Sequence, residues 1–355
     1  MQLYMPTQVY SESNCVTNHA HQLRSLGTKA MIVTGRSSAA KTGALRDVVQ
    51  ALGDMPYIHF DQIEENPSVE TVMLARELAV AQKVDLFIGI GGGSPMDASK
   101  AIAMMAANLE KGAEVLYVAQ PLAHYPVVCV PTTCGTGSEV TPYAILTRHQ
   151  HQTKKSISHK IFPALALLDP AYLKHMPRSG LISTAVDALS HLLESYLNAN
   201  TNELNRIYSR EGLRMWAVFK DRLLEDKLEE ADLARMLHAS MAGGMAITHT
   251  GTSLPHGMSY PVTYTLGIPH GRAVGMFLGG FVDSYGDPEQ AKEAAHLLGF
   301  SDTKALRGYL SKLLGTPDVP KDLLETAASK LLEDPSKLKN YPFPITAEQL
   351  LGMLN

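Results

Sequence analysis

"FIGIGGGSPMDASKAIA", residues 87–103, leaves an apolar run through Gly89, Gly91, Gly92, Gly93 and Ser94 and enters a helix-favouring segment. Such a passage reads as a buried strand turning on glycines into a helix. The glycines let a ligand approach the backbone, and the helix start offers free N–H groups and a positive dipole end to a phosphate. It departs from the G-x-G-x-x-G fingerprint, because Ser94 stands where the third glycine would be. A glycine-rich turn alone fits a ligand-free βα connection equally well. Four small residues at a helix start, with Asp97 and Lys100 in its first turns, favour a dinucleotide.

The same alternation extends to both sides of this stretch. "KAMIVT" (29–34) and "PYIHF" (56–60) are short strand signals, each followed by a run with helical apolar spacing, and "VDLFIGI" (84–90) repeats the strand signal. "PVVCVP" (126–131), "YAILT" and "ALALLD" add further extended runs. Buried strands separated by amphipathic helices imply right-handed crossovers and a parallel sheet covered on both faces. Strand signals stop after Asp169, and the chain then reads as successive helices over 183–199, 204–222, 228–247, 272–284 and 288–298. We expect an N-terminal α/β dinucleotide-binding domain over 1–172 and an all-α C-terminal domain over 173–355, which binds metal and substrate.

Composition agrees with two soluble globular domains: 355 residues, 45% hydrophobic and 19% charged. A net charge of −4 is too little, and of the wrong sign, to predict nucleic acid or an anionic membrane as partner. Cys15, Cys129 and Cys134 are an odd set without C-x-x-C spacing, which suits a reducing compartment. The N-terminus lacks the charged and apolar regions of a secretion signal, and no apolar run reaches the roughly 20 residues of a membrane span. The expected location is cytoplasmic.

A second candidate loop, "TTCGTGSEVTPY" (132–143), follows "PVVCVP" and clusters hydroxyls with two glycines. Ligands of open α/β sheets sit at the carboxyl ends of strands, so both loops can serve one crevice. Alone, this loop reads better as hydroxyl-rich surface turns than as a ligand site.

"STAVDALSHLLESY" (183–196) places Asp187 and His191 four residues apart on one helix face. An isolated pair of this kind is more often a hydrogen bond than a metal site. "LPHGMSYPVTYTLGIPHGRAVG" (254–275) changes the balance by presenting His-Gly twice, at His256 and His270, each after a proline. Three imidazoles and a carboxylate suit Zn²⁺ or a first-row ion such as Fe²⁺, without choosing between them. His249 and His238 read as helix-face residues or as supports behind the ligands, and His159 as a solvated one.

These motifs together resemble the iron-containing, or group III, alcohol dehydrogenases. The likeness runs from "IVTGRSS" and "ENPSVE" through "GIGGGSPMDASKAIA", "PTTCGTGSEVTPYAIL", "LLDPAYLKHMP" and "STAVDALSHLLESY" to the paired "PHG" motifs. It implies a dehydroquinate synthase-like fold with the active site in the cleft between the two domains. It further implies metal ligands at Asp187, His191, His256 and His270, with Fe²⁺ the expected ion and Zn²⁺ or Mn²⁺ as alternatives. A bound cation would act as a Lewis acid on an alcohol oxygen while hydride passes to the nicotinamide.

By the same resemblance, Gly91, Gly92, Gly93 and Ser94 cradle the pyrophosphate, with Asp97 nearby. Thr132, Thr133, Thr136 and Ser138 line the nucleotide, and Lys154 or Lys155 reaches the ribose or phosphate. The candidate catalytic residues are Tyr260 and His270. A homodimer or larger homo-oligomer is also implied.

Two departures from the family pattern matter. Many relatives carry an acidic residue after the first strand, where this chain has Gly35, followed by Arg36, Ser37 and Ser38. Room, hydroxyls and a guanidinium there predict NADP in preference to NAD, with NAD as the alternative. Tyr260 replaces a histidine common in relatives; it either substitutes through its hydroxyl or only packs. "SESNC" after "PTQVY" also departs, without a functional reading. Met245, Tyr260 and Phe277 are guessed to face substrate and suggest a small, largely apolar alcohol or aldehyde. The competing readings are a dehydroquinate synthase-like lyase, a glycerol dehydrogenase-like polyol oxidoreductase, and a non-catalytic nucleotide-binding module.

Overall fold

A computed structural model describes residues 3–151, 153–315 and 318–354. Tyr4–Thr133 and Gly137–His175 form one compact unit; Cys134–Thr136 and the chain from Met176 onward form another.

The first unit carries strands β1 (Gln8–Ser11), β2 (Ala30–Thr34), β3 (Tyr57–Phe60), β4 (Leu86–Gly91), β5 (Val127–Pro131), β6 (Ile145–Arg148), β7 (Thr153–Ser156) and β8 (Leu165–Leu168). Among the described residues, six of them pair in the order β1-β8-β5-β4-β2-β3, all parallel. Every residue of β2, β4, β5 and β8 is buried, as expected for strands covered on both faces. Alternate side chains feed two cores. Met31, Val33, Phe87, Val127 and Cys129 meet the helices Val69–Ala81 and Gly93–Ala107 on one face. Ala30, Ile32, Ile88, Val128 and Val130 meet Cys15–Asn18 and Ala44–Leu52 on the other.

From β2 the chain goes first to β3 on one side, then returns to β4 on the opposite side. The carboxyl ends of β2 and β4 therefore flank the point where winding reverses, which is where open sheets bind ligands. "YAILT" is extended as expected, but β6 pairs with β7 in a separate antiparallel hairpin instead of extending the sheet.

The second unit is helical. Its central helix, Arg178–Tyr196, is buried on almost every side from Ile182 onward, and the Trp216 indole of the next helix, Arg206–Glu225, donates to its Ala185 carbonyl at 2.9 Å. Glu230–Thr250, Leu254–Leu266 and His270–Asp283 pack against it, and Thr303–Leu314 packs on the last of these. The helix Leu254–Leu266 was not expected, because Pro255 and Pro261 interrupt the pattern. Pro255 lies in the first turn, where a missing N–H is harmless, and only Pro261 lies inside. Among the described residues, no helix is long and apolar enough to cross a membrane.

Candidate functional site

Asp187 and His191 project one turn apart from the buried helix Arg178–Tyr196. His256 sits in the first turn of Leu254–Leu266, and His270 is the first residue of His270–Asp283. Three Nε2 atoms surround one carboxylate oxygen: Asp187 Oδ1 lies 3.9 Å from His191, 3.8 Å from His256 and 3.7 Å from His270. Ligands on bonds of ~2.1 Å at tetrahedral angles are roughly 3.4 Å apart, so the spacing is a little wide for a tightly held first-row ion and of the right order. The candidate donor atoms of Asp187, His256 and His270 lie within 4.8 Å of one another. The His191 and His256 rings stack with centroids 4.8 Å apart.

Imidazole tautomers fit a cation. His191 Nδ1 donates to the Gly135 carbonyl at 3.2 Å, and His256 Nδ1 donates to Glu194 Oε1 at 2.5 Å. Each bond turns the Nε2 lone pair toward Asp187. Asp187 Oδ1 and His256 Nε2 are buried without a hydrogen-bond partner, an expensive arrangement that a divalent cation would relieve. Burial holds His256 neutral, well below the ordinary histidine range. Burial likewise pushes the Glu194 carboxyl up to about 7, opposed by the Ser253 N–H and the Lys337 charge.

Glu194 escaped the sequence reading although a signal was present. It follows Asp187 by seven residues and His191 by three, on the same helical face, and it is fully buried. Ser253 N–H donates to its second carboxylate oxygen, so both oxygens are occupied. The repeated His-Gly dipeptide also gains a reason: a Cβ on Gly271 would stand 1.8 Å from the Ser183 carbonyl oxygen and 3.0 Å from Asp187 Cβ. Only glycine lets this helix start press against the backbone that carries Asp187.

Tyr260 stacks on His270 with centroids 6.0 Å apart, and His270 is the exposed member of the cluster, its side chain 35% accessible. Met245 is partly buried, whereas Phe277, expected to face substrate, is fully buried. His249 bonds the Met245 carbonyl at 2.8 Å and stacks on Tyr208, in keeping with a helix-face role. Burial lowers the His238 pKa. His159 is a correction: it is buried, and its Nε2 bonds the Val115 carbonyl at 2.7 Å.

In the α/β unit the glycine turn closes β4, and the helix Gly93–Ala107 begins at once. Ser94 Oγ accepts from Asn66 N–H at 3.0 Å. Thr132 N–H donates to the Gly91 carbonyl at 2.8 Å, and a Cβ on Gly92 would lie 3.3 Å from Thr133 Cγ2, so the two loops adjoin. Thr132 Oγ1 is buried without a partner beside this turn. Thr136 belongs to the other unit.

Lys100 is wholly buried. Its ammonium donates to Ser138 O, Ser138 Oγ and Tyr143 O, each at 2.8 Å. The Asp97 carboxylate accepts from Ser138 Oγ at 2.5 Å and Ile145 N–H at 2.9 Å. Asp97, Lys100 and Ser138 thus tie the turn's helix to the second loop. Lys155 is exposed on β7, 6.0 Å from the Tyr117 ring centroid. Lys154 is half-buried opposite Thr147, whose hydroxyl bonds the Asn66 carbonyl. Burial lowers the Lys154 pKa. Gly35 follows β2, with Arg36, Ser37 and Ser38 exposed after it.

A sequence model described as "Iron-containing alcohol dehydrogenase" matches residues 6–170, and one described as "Fe-containing alcohol dehydrogenase family, C-terminal" matches 181–349. The chain belongs to the iron-containing alcohol dehydrogenase family. An iron-containing alcohol dehydrogenase from Thermotoga maritima is similar to it at 35% identity and a TM-score of 0.91, over 99% of this chain and 98% of that one. A sulfoacetaldehyde reductase from Bifidobacterium kashiwanohense, solved with NAD+, superposes at a TM-score of 0.86 and 26% identity, over 99% and 97%. A mitochondrial hydroxyacid-oxoacid transhydrogenase from Caenorhabditis elegans is 32% identical over 68% of this chain. That match spans only 58% of the relative's own length. Iron-containing alcohol dehydrogenases thus share the parallel sheet and the helical C-terminal part.

Proposed function

We propose that this chain is a metal-dependent, NAD(P)-linked alcohol dehydrogenase or aldehyde reductase, moving hydride between a small alcohol and the nicotinamide. The observation that carries the reading is Asp187 Oδ1, buried without a hydrogen bond, with three imidazole Nε2 atoms 3.7–3.9 Å away. A divalent cation there, Fe²⁺ first and Zn²⁺ or Mn²⁺ next, would supply Lewis acidity toward an alcohol or carbonyl oxygen.

The chain's own groups do the rest. Asp187 contributes one negative charge, and His191, His256 and His270 contribute neutral donors. The Gly135 carbonyl and Glu194 hold two of those rings in the required tautomer. Substrate enters on the accessible His270 side, where the Tyr260 hydroxyl passes the alcohol's proton toward solvent.

The Gly91–Ser94 turn and the helix start behind it supply N–H groups to the pyrophosphate, and Thr132 and Thr133 supply hydroxyls. Asp97 and Ser138 serve better as braces of these loops than as nucleotide contacts, and Lys154 is better supported than Lys155 as the ribose or phosphate lysine. Gly35, Arg36, Ser37 and Ser38 lie at the carboxyl end of β2, beside the winding reversal, which supports a preference for NADP. We take 1–172 as the nucleotide-binding part and 173–355 as the metal-binding part. Homo-oligomers are supported by open hydrogen-bonding edges at β1 and β3. Cys15, Cys129 and Cys134 are buried thiols outside any disulfide, which supports a reducing compartment such as the cytoplasm.

The test is a panel of alcohols and aldehydes with NADP and NAD, after loading with Fe²⁺, Zn²⁺ or Mn²⁺, followed by nicotinamide absorbance. Turnover that needs metal, and that disappears in Asp187→Ala and His256→Ala while nucleotide affinity stays near normal, is expected. Full activity in either variant, or product formation without net nicotinamide reduction, would refute the assignment.

A further inference from the structure

Lys337, in the short helix Pro335–Leu338, places an ammonium beside the metal-binding cluster. Its Nζ lies 5.5 Å from the Tyr260 ring centroid and donates to Thr252 Oγ1. Its charge reaches both Glu194 and His256. The side chain is half-buried, and among the described residues no carboxylate lies within the 4.0 Å of an ion pair with it. A ring face and one neutral hydroxyl replace only part of the hydration that an ammonium loses on burial.

The local charge balance points the same way. Both Glu194 oxygens are already taken, by His256 Nδ1–H and Ser253 N–H. Lys337 is left as an ammonium without an ion-pair partner among the described residues, over the Tyr260 ring that stacks on the partly accessible His270.

We infer that Lys337 binds an anionic substituent of the substrate, a carboxylate, so that the preferred substrates are short ω-hydroxy acids and the matching ω-oxo acids. This rests on the dehydrogenase reading above and replaces the largely apolar alcohol suggested by Met245, Tyr260 and Phe277. The reaction is unchanged: hydride leaves the carbinol carbon for the nicotinamide, the hydroxyl proton goes to solvent, and the carboxylate is only held.

The metal-loaded protein is assayed with γ-hydroxybutyrate against n-butanol, and with succinic semialdehyde against butanal. A charge-assisted contact corresponds to a kcat/KM preference of about 10–100-fold for the anionic member of each pair. That preference collapses in Lys337→Met through KM, survives in Lys337→Arg, and weakens with rising salt. No preference in the native protein, or the same preference in Lys337→Met, overturns the inference. Loss of bound metal in Lys337→Met also overturns it, since that marks support of the metal cluster. Calorimetry with γ-hydroxybutyrate separates the two levels. Binding that depends on Lys337 without turnover sinks the dehydrogenase reading and keeps the recognition; absence of such binding sinks the recognition.

Discussion

His256 Nδ1 and Glu194 Oε1 are 2.5 Å apart, a fully buried carboxylate–imidazole pair whose second oxygen is taken by the Ser253 N–H. Removing the carboxylate charge while keeping its shape weakens the donor character of His256 and frees its ring to turn. Glu194→Gln is expected to lower metal affinity about 10–100-fold, by titration of metal-free protein. Equal affinity in the variant and the native protein would make Glu194 a packing residue.

Gly271 meets the Ser183 carbonyl too closely for any side chain. Gly271→Ala must push the start of His270–Asp283 away from the helix that carries Asp187. We expect destabilisation at the upper end of roughly 1–3 kcal/mol, read as a lower denaturant midpoint, together with weaker metal binding. Gly308→Ala is the control, because open space surrounds that position. Similar behaviour of the two variants would discount the close approach.

Cofactor choice is tested at the loop after β2. Arg36→Ala should weaken NADP about tenfold while leaving NAD nearly unchanged, the loss expected for one charge-assisted phosphate contact. Gly35→Asp should move the ratio the same way, though its Cβ would crowd the Ile63 carbonyl at 3.2 Å. A constant ratio of the two dissociation constants in both variants would remove the NADP assignment.

Glu139 is buried in the second loop with Oε1 unpartnered, and burial pushes its carboxyl up to about 7 from 4.5. The folded chain therefore holds this proton more tightly than the unfolded one. Stability from this group is complete below pH 4.5 and is lost as pH rises through about 7. Glu139→Gln should stabilise the protein by about 2–3 kcal/mol at pH 8 and little at pH 4.5. A pH-independent difference would contradict the cause given.

The parallel sheet and the helical C-terminal part were legible because their patterns are local. β2 and β4 are short apolar runs beside glycine or serine, and the helices repeat their apolar residues at regular spacing. β1 was missed: "QVYS" is half-exposed and becomes a strand only through pairing with β8, whose sequence lies far away. Leu254–Leu266 was hidden by its prolines. Candidate ligands were legible from the Asp187–His191 spacing and the two His-Gly pairs. Their supports were not, because Glu194 and Gly135 acquire meaning only from neighbours remote in the chain. His159 shows the opposite error, a polar residue read as solvated that found a carbonyl inside the fold.

Lys100 has further reach. Apart from Asp97 at 3.5 Å on its own helix, its acceptors belong to the second loop, so the grip on the glycine turn is made by the chain's own groups. The residues that would choose between NADP and NAD follow a different strand and share none of these bonds. If 35–38 choose the cofactor as proposed, selection, natural or in the laboratory, can rewrite that choice without disturbing the bonds of Lys100.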